Sequence, residues 1–197
     1  CLTLSKINIL LSLTEENYLK AIFSLNQEES ESATTNAIAE KLETKASSVT
    51  DMMKRLSKKE LVNYQKYQAV SLTQMGKEVA ISIIRKHRLW ELFLVEKLNF
   101  KWDEVHEIAE QLEHIKSTQL TDRLDEFLGY PDQDPHGDPI PNKQGEFPKD
   151  GRTTLSELDQ ATTCKVVGVK DHSSNFLSYL ESMEIKLNTS IKVKAHH

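Results

Sequence analysis

Histidine and glutamate residues are concentrated at helical spacing in one stretch of this 197-residue chain. His87 and Glu91 are four residues apart, so on a helix both side chains point from one face. Four more such groups fall within an arc of roughly 100° on the next predicted helix. They are His106, Glu110, Glu113 and His114. A single His or Glu of this kind is more often an ordinary surface or partly buried residue than a metal ligand. Imidazole and carboxylate gathered on two helix faces nevertheless predict a site for a divalent first-row metal.

Apolar residues at helical spacing predict the elements that position these groups. Three helices are expected, over residues 74–97, 103–116 and 117–128. Thr73 is a suitable N-cap for the first, and Gly129-Tyr130-Pro131 is a stop signal for the last. Residues 131–150 are rich in Pro, Gly and Asp and predict a loop or linker.

The first part of the chain predicts a helix-turn-helix followed by a hairpin. Thr14 and Thr35 are suitable N-caps for two helices, and a break at 43–45 precedes a third helix over 47–56. The inward face of that third helix would consist of Val49, Met52, Met53 and Leu56. Short β-prone stretches within 61–72 predict a hairpin, which completes a winged helix-turn-helix order.

Charge is distributed unevenly along the chain, whose formal net charge is −5. Residues 41–67 hold seven basic and three acidic residues, whereas residues 103–160 hold five basic and fifteen acidic ones. Because attraction to phosphate depends on the local surface, the net negative charge does not exclude DNA binding. The pattern indicates a basic reading head joined to an acidic, cation-holding module.

The remainder of the chain predicts a small β-rich segment in a soluble protein. Strands are expected over 164–169 and 189–193, on either side of a short helix over 175–183. The two cysteines, Cys1 and Cys164, form no Cys-x-x-Cys pair, which favours a reducing, cytoplasmic location. We find no apolar run long enough to span a membrane and expect no membrane partner.

Several separate motifs in this order resemble the iron- and manganese-dependent metalloregulators of the diphtheria toxin repressor type. They are TEENYL (14–19), IAEKL (38–42), SSVT (47–50), LTQMG (72–76), RKHRL (85–89), VH (105–106), EH (113–114) and HGDPIP (136–141). The resemblance covers about residues 10–142 and extends more weakly into the tail.

The resemblance implies a mainly α fold with a small β-rich C-terminal part. The expected domains are a winged helix-turn-helix over 1–73, a helical metal-binding and dimerisation domain over 74–142, a linker over 143–152 and an SH3-like domain over 153–197. The last is shorter than its counterpart in the family, so the resemblance predicts a truncated domain.

Carried over position by position, the resemblance implies two metal sites per subunit. The ancillary site would use His87, Glu91 and His106, completed by His172 and Asn175. The primary site would use Glu110, Glu113, His114 and Asn17. Asn17 departs from the family, which usually has Asp or Met there, and offers an uncharged oxygen.

The implied function is metal-dependent repression of metal-uptake genes by a homodimer on palindromic double-stranded operator DNA. DNA contacts are expected from Lys45, Ser47, Ser48, Thr50, Asp51, Lys54, Lys66 and Tyr67. An excess of large apolar residues in 74–128 predicts a helical dimer interface, and it includes Leu89, Trp90, Leu92, Phe93 and Leu94.

Mn(II) or Fe(II) is the expected activator, and other divalent metals are expected to substitute in vitro. Iron-tuned members of the family tend to carry Cys where this chain has Glu110, and carboxylate oxygen suits the harder manganese ion. Two alternatives remain at this point. One is a winged-helix regulator of another effector. The other is a helical metalloenzyme, which is disfavoured because no Glu-x-x-His or helical His-Glu-x-x-His occurs.

Overall fold

The computed structural model describes residues 10–27, 32–149 and 151–195, so residues 1–9 of the predicted first domain lie outside it. In this part of the chain the fold is mainly helical. The helices are α1 (Leu13–Gln27), α2 (Thr35–Lys41), α3 (Ala46–Lys58), α4 (Gln74–Leu98), α5 (Val105–Leu112), α6 (Thr118–Phe127) and α7 (Ser174–Ser182). The strands are β1 (Val62–Asn63), β2 (Ser71–Leu72), β3 (Thr163–Lys165) and β4 (Ser190–Lys192). The chain divides into two compact units, one through Ile84 and one from Arg85, with the division inside α4.

The N-caps of α1 and α2 lie two residues and one residue before the predicted caps. Ser12, rather than Thr14, caps α1: its Oγ accepts from the Glu15 amide, and its own amide donates to the Glu15 carboxylate at 2.9 Å. Thr34, rather than Thr35, caps α2, because its Oγ1 accepts from the Ala37 amide. Neighbouring hydroxyl residues compete for the same capping position, and only the backbone conformation decides between them.

The predicted reading helix is present as α3. Its residues Val49, Met52, Met53 and Leu56 are buried, as the inward face requires. They belong to an apolar core that also includes Leu19 and Ile22 of α1 and Ile38 of α2.

The hairpin that follows is short and closely packed against the start of α4. Val62 pairs with Leu72 and Asn63 with Ser71 in an antiparallel ladder. Thr73 caps α4 as predicted, since its Oγ1 accepts from the Gly76 amide. A Cβ on Gly76 would lie 1.9 Å from the Leu61 carbonyl oxygen, so only glycine fits at this contact.

In the second unit, α5 is shorter than the helix predicted over 103–116. It ends at Leu112, which leaves Glu113 at its C-cap and His114 beyond it. Four residues after this C-cap, Ser117 has an extended backbone and accepts from the Leu120 amide as the N-cap of α6, as the predicted start of the third helix requires.

The tail contains a two-stranded antiparallel sheet, with Cys164 opposite Ile191, and the helix α7. β3 ends at Lys165, although a strand through residue 169 was predicted. Beyond the strand, the Val169 amide donates to the carbonyl oxygen of His136, in the loop after α6.

Candidate metal centre and nucleic-acid interface

Three side chains from α4 and α5 converge on a small triangle of ligand atoms. His87 Nε2 lies 3.0 Å from Glu91 Oε1 and 3.2 Å from His106 Nδ1. His106 Nδ1 lies 3.2 Å from the same Glu91 oxygen. His87 and Glu91 are buried, whereas His106 is partly accessible, which leaves one approach open to solvent.

This triangle fits a divalent metal ion. Ligand atoms about 2.1 Å from a metal lie about 3.0 Å from one another in octahedral geometry. Two ring nitrogens 3.2 Å apart can share one proton at most, and the carboxylate oxygen beside them is an acceptor. A cation would satisfy all three lone pairs together. The donor set of two imidazoles and one carboxylate suits a first-row divalent ion.

The opposite side of the His87 ring is held by Glu113. His87 Nδ1 lies 2.5 Å from Glu113 Oε2, and the Glu113 side chain is fully buried. An Nδ1–H that donates to this carboxylate leaves the Nε2 lone pair available for a metal. This carboxylate–histidine pairing is the usual outer support of a metal-bound imidazole. Glu113, expected as a primary-site ligand, therefore makes its short contact with an ancillary-site histidine.

The other residues predicted for the primary site are more dispersed. Glu110 is half-exposed, and its Oε1 lies 3.7 Å from His106 Nε2. His114 Nε2 lies 3.8 Å from Glu113 Oε1. Asn17 belongs to α1 in the first unit, where its Oδ1 is a buried oxygen that has no hydrogen-bond partner within the described ranges. The primary site remains a prediction.

The two residues predicted from the tail have different environments. The His172 ring stacks on His136, with centroids 4.7 Å apart and an interplanar angle of 22°. Its Nε2 lies 3.2 Å from the Val169 carbonyl oxygen, and burial lowers the His172 pKa. Asn175 is exposed in the first turn of α7. The structure therefore brings His172 to the edge of the site through a stacking contact with His136.

Sequence reasoning missed two buried members of this site, Asp134 and His136. Both lie in the loop after α6, and together with Glu91 they form a second group of potential ligands within 4.8 Å of one another. A loop has no periodicity from which a shared face can be read, so spacing could not identify them. The only available signal was the HGDPIP motif, which served here as a family marker.

Burial and close charges perturb the ionisation of the groups around Glu91. Burial raises the Glu91 pKa, but contacts with His106, His136 and His87 outweigh it and hold that pKa well below its usual range. Burial, reinforced by repulsion from Glu91 and Asp138, raises the pKa of Asp134 to about 7. Burial lowers the His136 pKa, but the Glu91 and Asp134 carboxylates more than compensate and raise it. Asp134 and His136 therefore both hold their protons more tightly than usual, whereas Glu91 stays ionised.

The predicted DNA-reading residues lie on the outer face of α3 and on the wing. Ser47, Ser48 and the N-terminal flank residue Lys45 are exposed, as are Asp51 and Lys54, which form an ion pair at 3.0 Å. Thr50 is half-buried, and its hydroxyl donates to the Ala46 carbonyl oxygen at 3.0 Å.

On the wing, Tyr67 is 92% exposed, and Lys66 Nζ lies 4.8 Å from the centroid of its ring. An exposed aromatic ring next to a lysine at a turn is well suited to contact a phosphate backbone.

Three family models match the chain in succession. The N-terminal DNA-binding domain of iron-dependent repressors matches residues 10–70, and their metal-binding and dimerisation domain matches residues 73–142. The FeoA domain matches residues 153–197.

Curated relatives agree with these matches. The iron-dependent repressor IdeR of Mycobacterium tuberculosis (strain ATCC 25618 / H37Rv) is 35% identical over 161 residues, which are 78% of this chain and 70% of the relative. The diphtheria toxin repressor of Corynebacterium jeikeium (strain K411) is 31% identical over 128 residues, 65% of this chain and 53% of the relative. These relatives are transcriptional repressors rather than enzymes.

Solved structures with the same fold include metal-bound regulators. A manganese-dependent transcriptional repressor in complex with manganese superposes with a TM-score of 0.85 at 36% identity, over 93% of this chain and 84% of that one. ScaR with bound Zn2+ superposes with a TM-score of 0.75 at 35% identity, over 90% and 82%. In the described residues, no helix has both the length and the apolarity needed to cross a bilayer.

Proposed function

Because the chain belongs to the family of iron- and manganese-dependent repressors, we propose that it represses metal-uptake genes by binding palindromic operator DNA when loaded with Mn(II) or Fe(II) in the cytoplasm. The observation that carries this proposal is the triangle of His87, Glu91 and His106, whose ligand atoms lie 3.0–3.2 Å apart. Titration of operator binding with and without metal tests it. A winged-helix regulator of another effector would bind DNA equally well after chelation.

Each residue of the site has a distinct task in this scheme. His87, Glu91 and His106 would hold a divalent cation, which would neutralise the charge of Glu91 and satisfy the lone pairs of the two imidazoles. Glu113 holds the His87 ring so that its Nε2 faces the site. The chain binds DNA in a metal-dependent way only if the cation prefers the DNA-competent conformation, because differential affinity is what shifts a population.

The reading element is α3, whose exposed N-terminal hydroxyls can approach base edges and phosphates. Duplexes selected from a random pool in the presence of Mn(II) supply the operator probe. Ser48→Glu and Lys54→Glu should each weaken binding by adding repulsion at phosphates, and binding should be strongly salt-dependent. Lys194→Glu, the same change at an exposed position of the tail, is the matched control. Unchanged affinity in both α3 variants would exclude this helix as the reading element.

The dimer interface is helical in this proposal but differs in composition from the sequence prediction. Leu89, Leu92 and Leu94 are already buried within the chain, so they are unavailable to a partner. On α6, by contrast, the apolar residues Leu120 and Phe127 are exposed. Phe127 continues an aromatic series formed by Phe93, at a centroid distance of 6.2 Å, and Trp90. Sedimentation as a monomer at micromolar concentration with Mn(II) present would contradict a dimer.

Manganese is the proposed activator because oxygen ligands predominate in the predicted primary site. Affinity order alone favours later metals, so selectivity would arise from geometry and cellular supply. DNA binding should respond to both Mn(II) and Fe(II) under anaerobic conditions. Glu110→Cys should reduce the response to manganese relative to iron, because a thiolate favours the softer ion. An unchanged ratio would remove the basis of the manganese assignment.

A further inference from the structure

A buried carboxylate at the start of α1 joins this helix to the end of the reading helix α3. The side chain of Glu15 is 2% exposed, and its Oε2 accepts from the Ser12 amide and from Lys59 Nζ, each at 2.9 Å. Lys59 Nζ also lies 2.8 Å from Oε1. Because both of its oxygens are held, the carboxylate has a fixed orientation beside the end of α3.

Arg55, one turn before the end of α3, is the second cationic side chain at this carboxylate. Its Nη2 lies 3.5 Å from Glu15 Oε1, while 61% of its side chain is exposed. Among the described residues, its ion pair is with Glu15. A guanidinium has five N–H donors in a rigid plane, so a contact along one edge leaves donors on the other edges for a second acceptor. Arg55 is therefore held on one side and open to solvent on the other.

Arg55 also lies on the face of α3 that carries predicted DNA contacts. Four exposed residues of this face are spaced three or four positions apart, namely Ser48, Asp51, Arg55 and Lys58. At 100° per residue they fall within an arc of roughly 80°, outside the arc of the buried residues. The N-terminal residues of a reading helix contact base edges, and in homeodomains the C-terminal end of that helix contacts the DNA backbone. The two basic residues at the end of this face are placed for the second task.

The local charge balance leaves a positive charge for such a contact. Glu15 carries one negative charge, and Lys59, in contact with both of its oxygens, already neutralises that charge. Arg55 adds a second positive charge, and it has no further ion pair within the described ranges. A phosphate can therefore bind the exposed edge of Arg55 while the contact with Glu15 stays in place.

This inference rests on the DNA binding proposed above: we propose that Arg55 contacts a phosphate of the DNA backbone and that Glu15 is the positioning residue that orients its guanidinium. A free arginine side chain loses much rotamer freedom when it becomes fixed at a phosphate. An arginine that is already held by a rigid carboxylate loses less, and its remaining donors point in one direction. Glu15 thus increases DNA affinity through Arg55, without touching the DNA.

The first test removes the arginine. The full chain with Mn(II) is titrated, by fluorescence anisotropy at several KCl concentrations, against the operator duplex selected from the random pool and against a random-sequence duplex. Arg55→Gln should weaken binding to both duplexes about tenfold, because a phosphate contact carries no sequence information. It should also lower the slope of log affinity against log salt concentration by about 1. Lys194→Gln, which removes the same charge from an exposed position of the tail, should change neither quantity.

A double-mutant cycle tests the role of Glu15. Glu15→Gln keeps the size of the side chain and one carbonyl oxygen but removes the charge that holds Arg55. It should weaken operator binding about threefold and leave the salt slope unchanged, because the number of phosphate contacts stays the same. In the Arg55→Gln background the same substitution should cause no further loss. Glu60→Gln, which removes an exposed carboxylate from the same unit, should not weaken binding in either background.

The cycle separates positioning from other roles of the carboxylate. Equal losses in both backgrounds would show that Glu15 supports the fold of the reading head, which circular dichroism checks independently, and would overturn the proposal. Unchanged binding by Glu15→Gln would also overturn it, and tighter binding would show that the carboxylate competes with phosphate for Arg55.

Two further outcomes separate this inference from the proposed function. If Arg55→Gln bound as tightly as the native chain while Ser48→Glu weakened binding, the phosphate contact would be wrong and the proposed repressor function would stand. A native chain that binds neither duplex in the presence of Mn(II) would contradict both proposals.

Discussion

The reading head and the metal-bearing region are stabilised in different ways. The first unit contains a continuous apolar core drawn from α1, α2, α3, the hairpin and the start of α4. The apolar cluster seen in the described part of the second is smaller and consists of Leu89, Leu92, Leu124 and Ile140. Its interior instead holds buried charged groups, namely Arg85, His87, Glu91, Glu113, Asp125, Asp134 and His136. Apolar burial is non-directional, whereas each buried charge needs a specific partner. The first unit should therefore fold without cofactors, and the second should depend on its ions.

The largest effect is expected from a cavity in the apolar core. Leu56→Ala in α3 removes a fully buried side chain and should lower the free energy of unfolding of the first unit by about 2–5 kcal/mol. The loss should be equal with and without Mn(II), as measured by amide hydrogen exchange in α3. Leu42→Ala, at a partly buried position, should cost less. If the stability lost in Leu56→Ala depended on Mn(II), the first unit would not be independent of metal as proposed.

Metal loading should act mainly on the second unit. At 100 times its dissociation constant, Mn(II) should add about 2.7 kcal/mol to the stability of the state that binds it. Amide protection should therefore rise in α5 much more than in α3. His106→Ala should reduce this gain by removing one ligand of the triangle. Equal gains in both helices would show that the units respond to metal together.

The next largest loss of stability is expected from a substitution at the close contact between the hairpin and α4. Gly76→Ala places a Cβ 1.9 Å from the Leu61 carbonyl oxygen and should cost about 1–3 kcal/mol as the backbone shifts to relieve the clash. Gly151→Ala is the control, because nothing lies within 4 Å of the added Cβ there. Urea unfolding followed by circular dichroism measures both. If Gly76→Ala left the free energy of unfolding unchanged, the hairpin would have to shift away from the added Cβ at no loss of stability.

The smallest effect is expected from the ion pair between the buried Glu15 carboxylate and Lys59 in the first unit. Burial raises the Glu15 pKa, but the Lys59 ammonium and the Ser12 amide outweigh it and lower that pKa. The carboxylate therefore contributes stability above the unfolded pKa of about 4.3, and this is lost as pH falls toward the lower folded pKa.

Glu15→Gln should cost about 1 kcal/mol at pH 7 and should reduce the loss of stability on acidification. Glu60→Gln, at an exposed position, is the control and should leave the pH profile unchanged. Urea midpoints at pH 7 and pH 4 measure the difference. Parallel profiles for native and Glu15→Gln protein would exclude this contribution.

The functional residues on helices were predictable because helical periodicity determines which residues share a face. His87 and Glu91 had to share a face, and the inward residues Val49 and Met53 of α3 followed from the same rule. Cap positions were less predictable, because Ser12 and Thr14, or Thr34 and Thr35, offer the same hydroxyl chemistry two residues or one residue apart.

The sequence by itself determined which ligand types are available and which helices carry them, since both follow from composition and local periodicity. Only the tertiary structure decided which atoms meet. It directed Glu113 toward His87 and brought His136 from a loop to Glu91, 45 positions earlier in the sequence. Contacts of this kind depend on how a loop folds back on a helix, which no local pattern encodes. They arise because buried carboxylates and imidazoles must find partners within the interior that surrounds them.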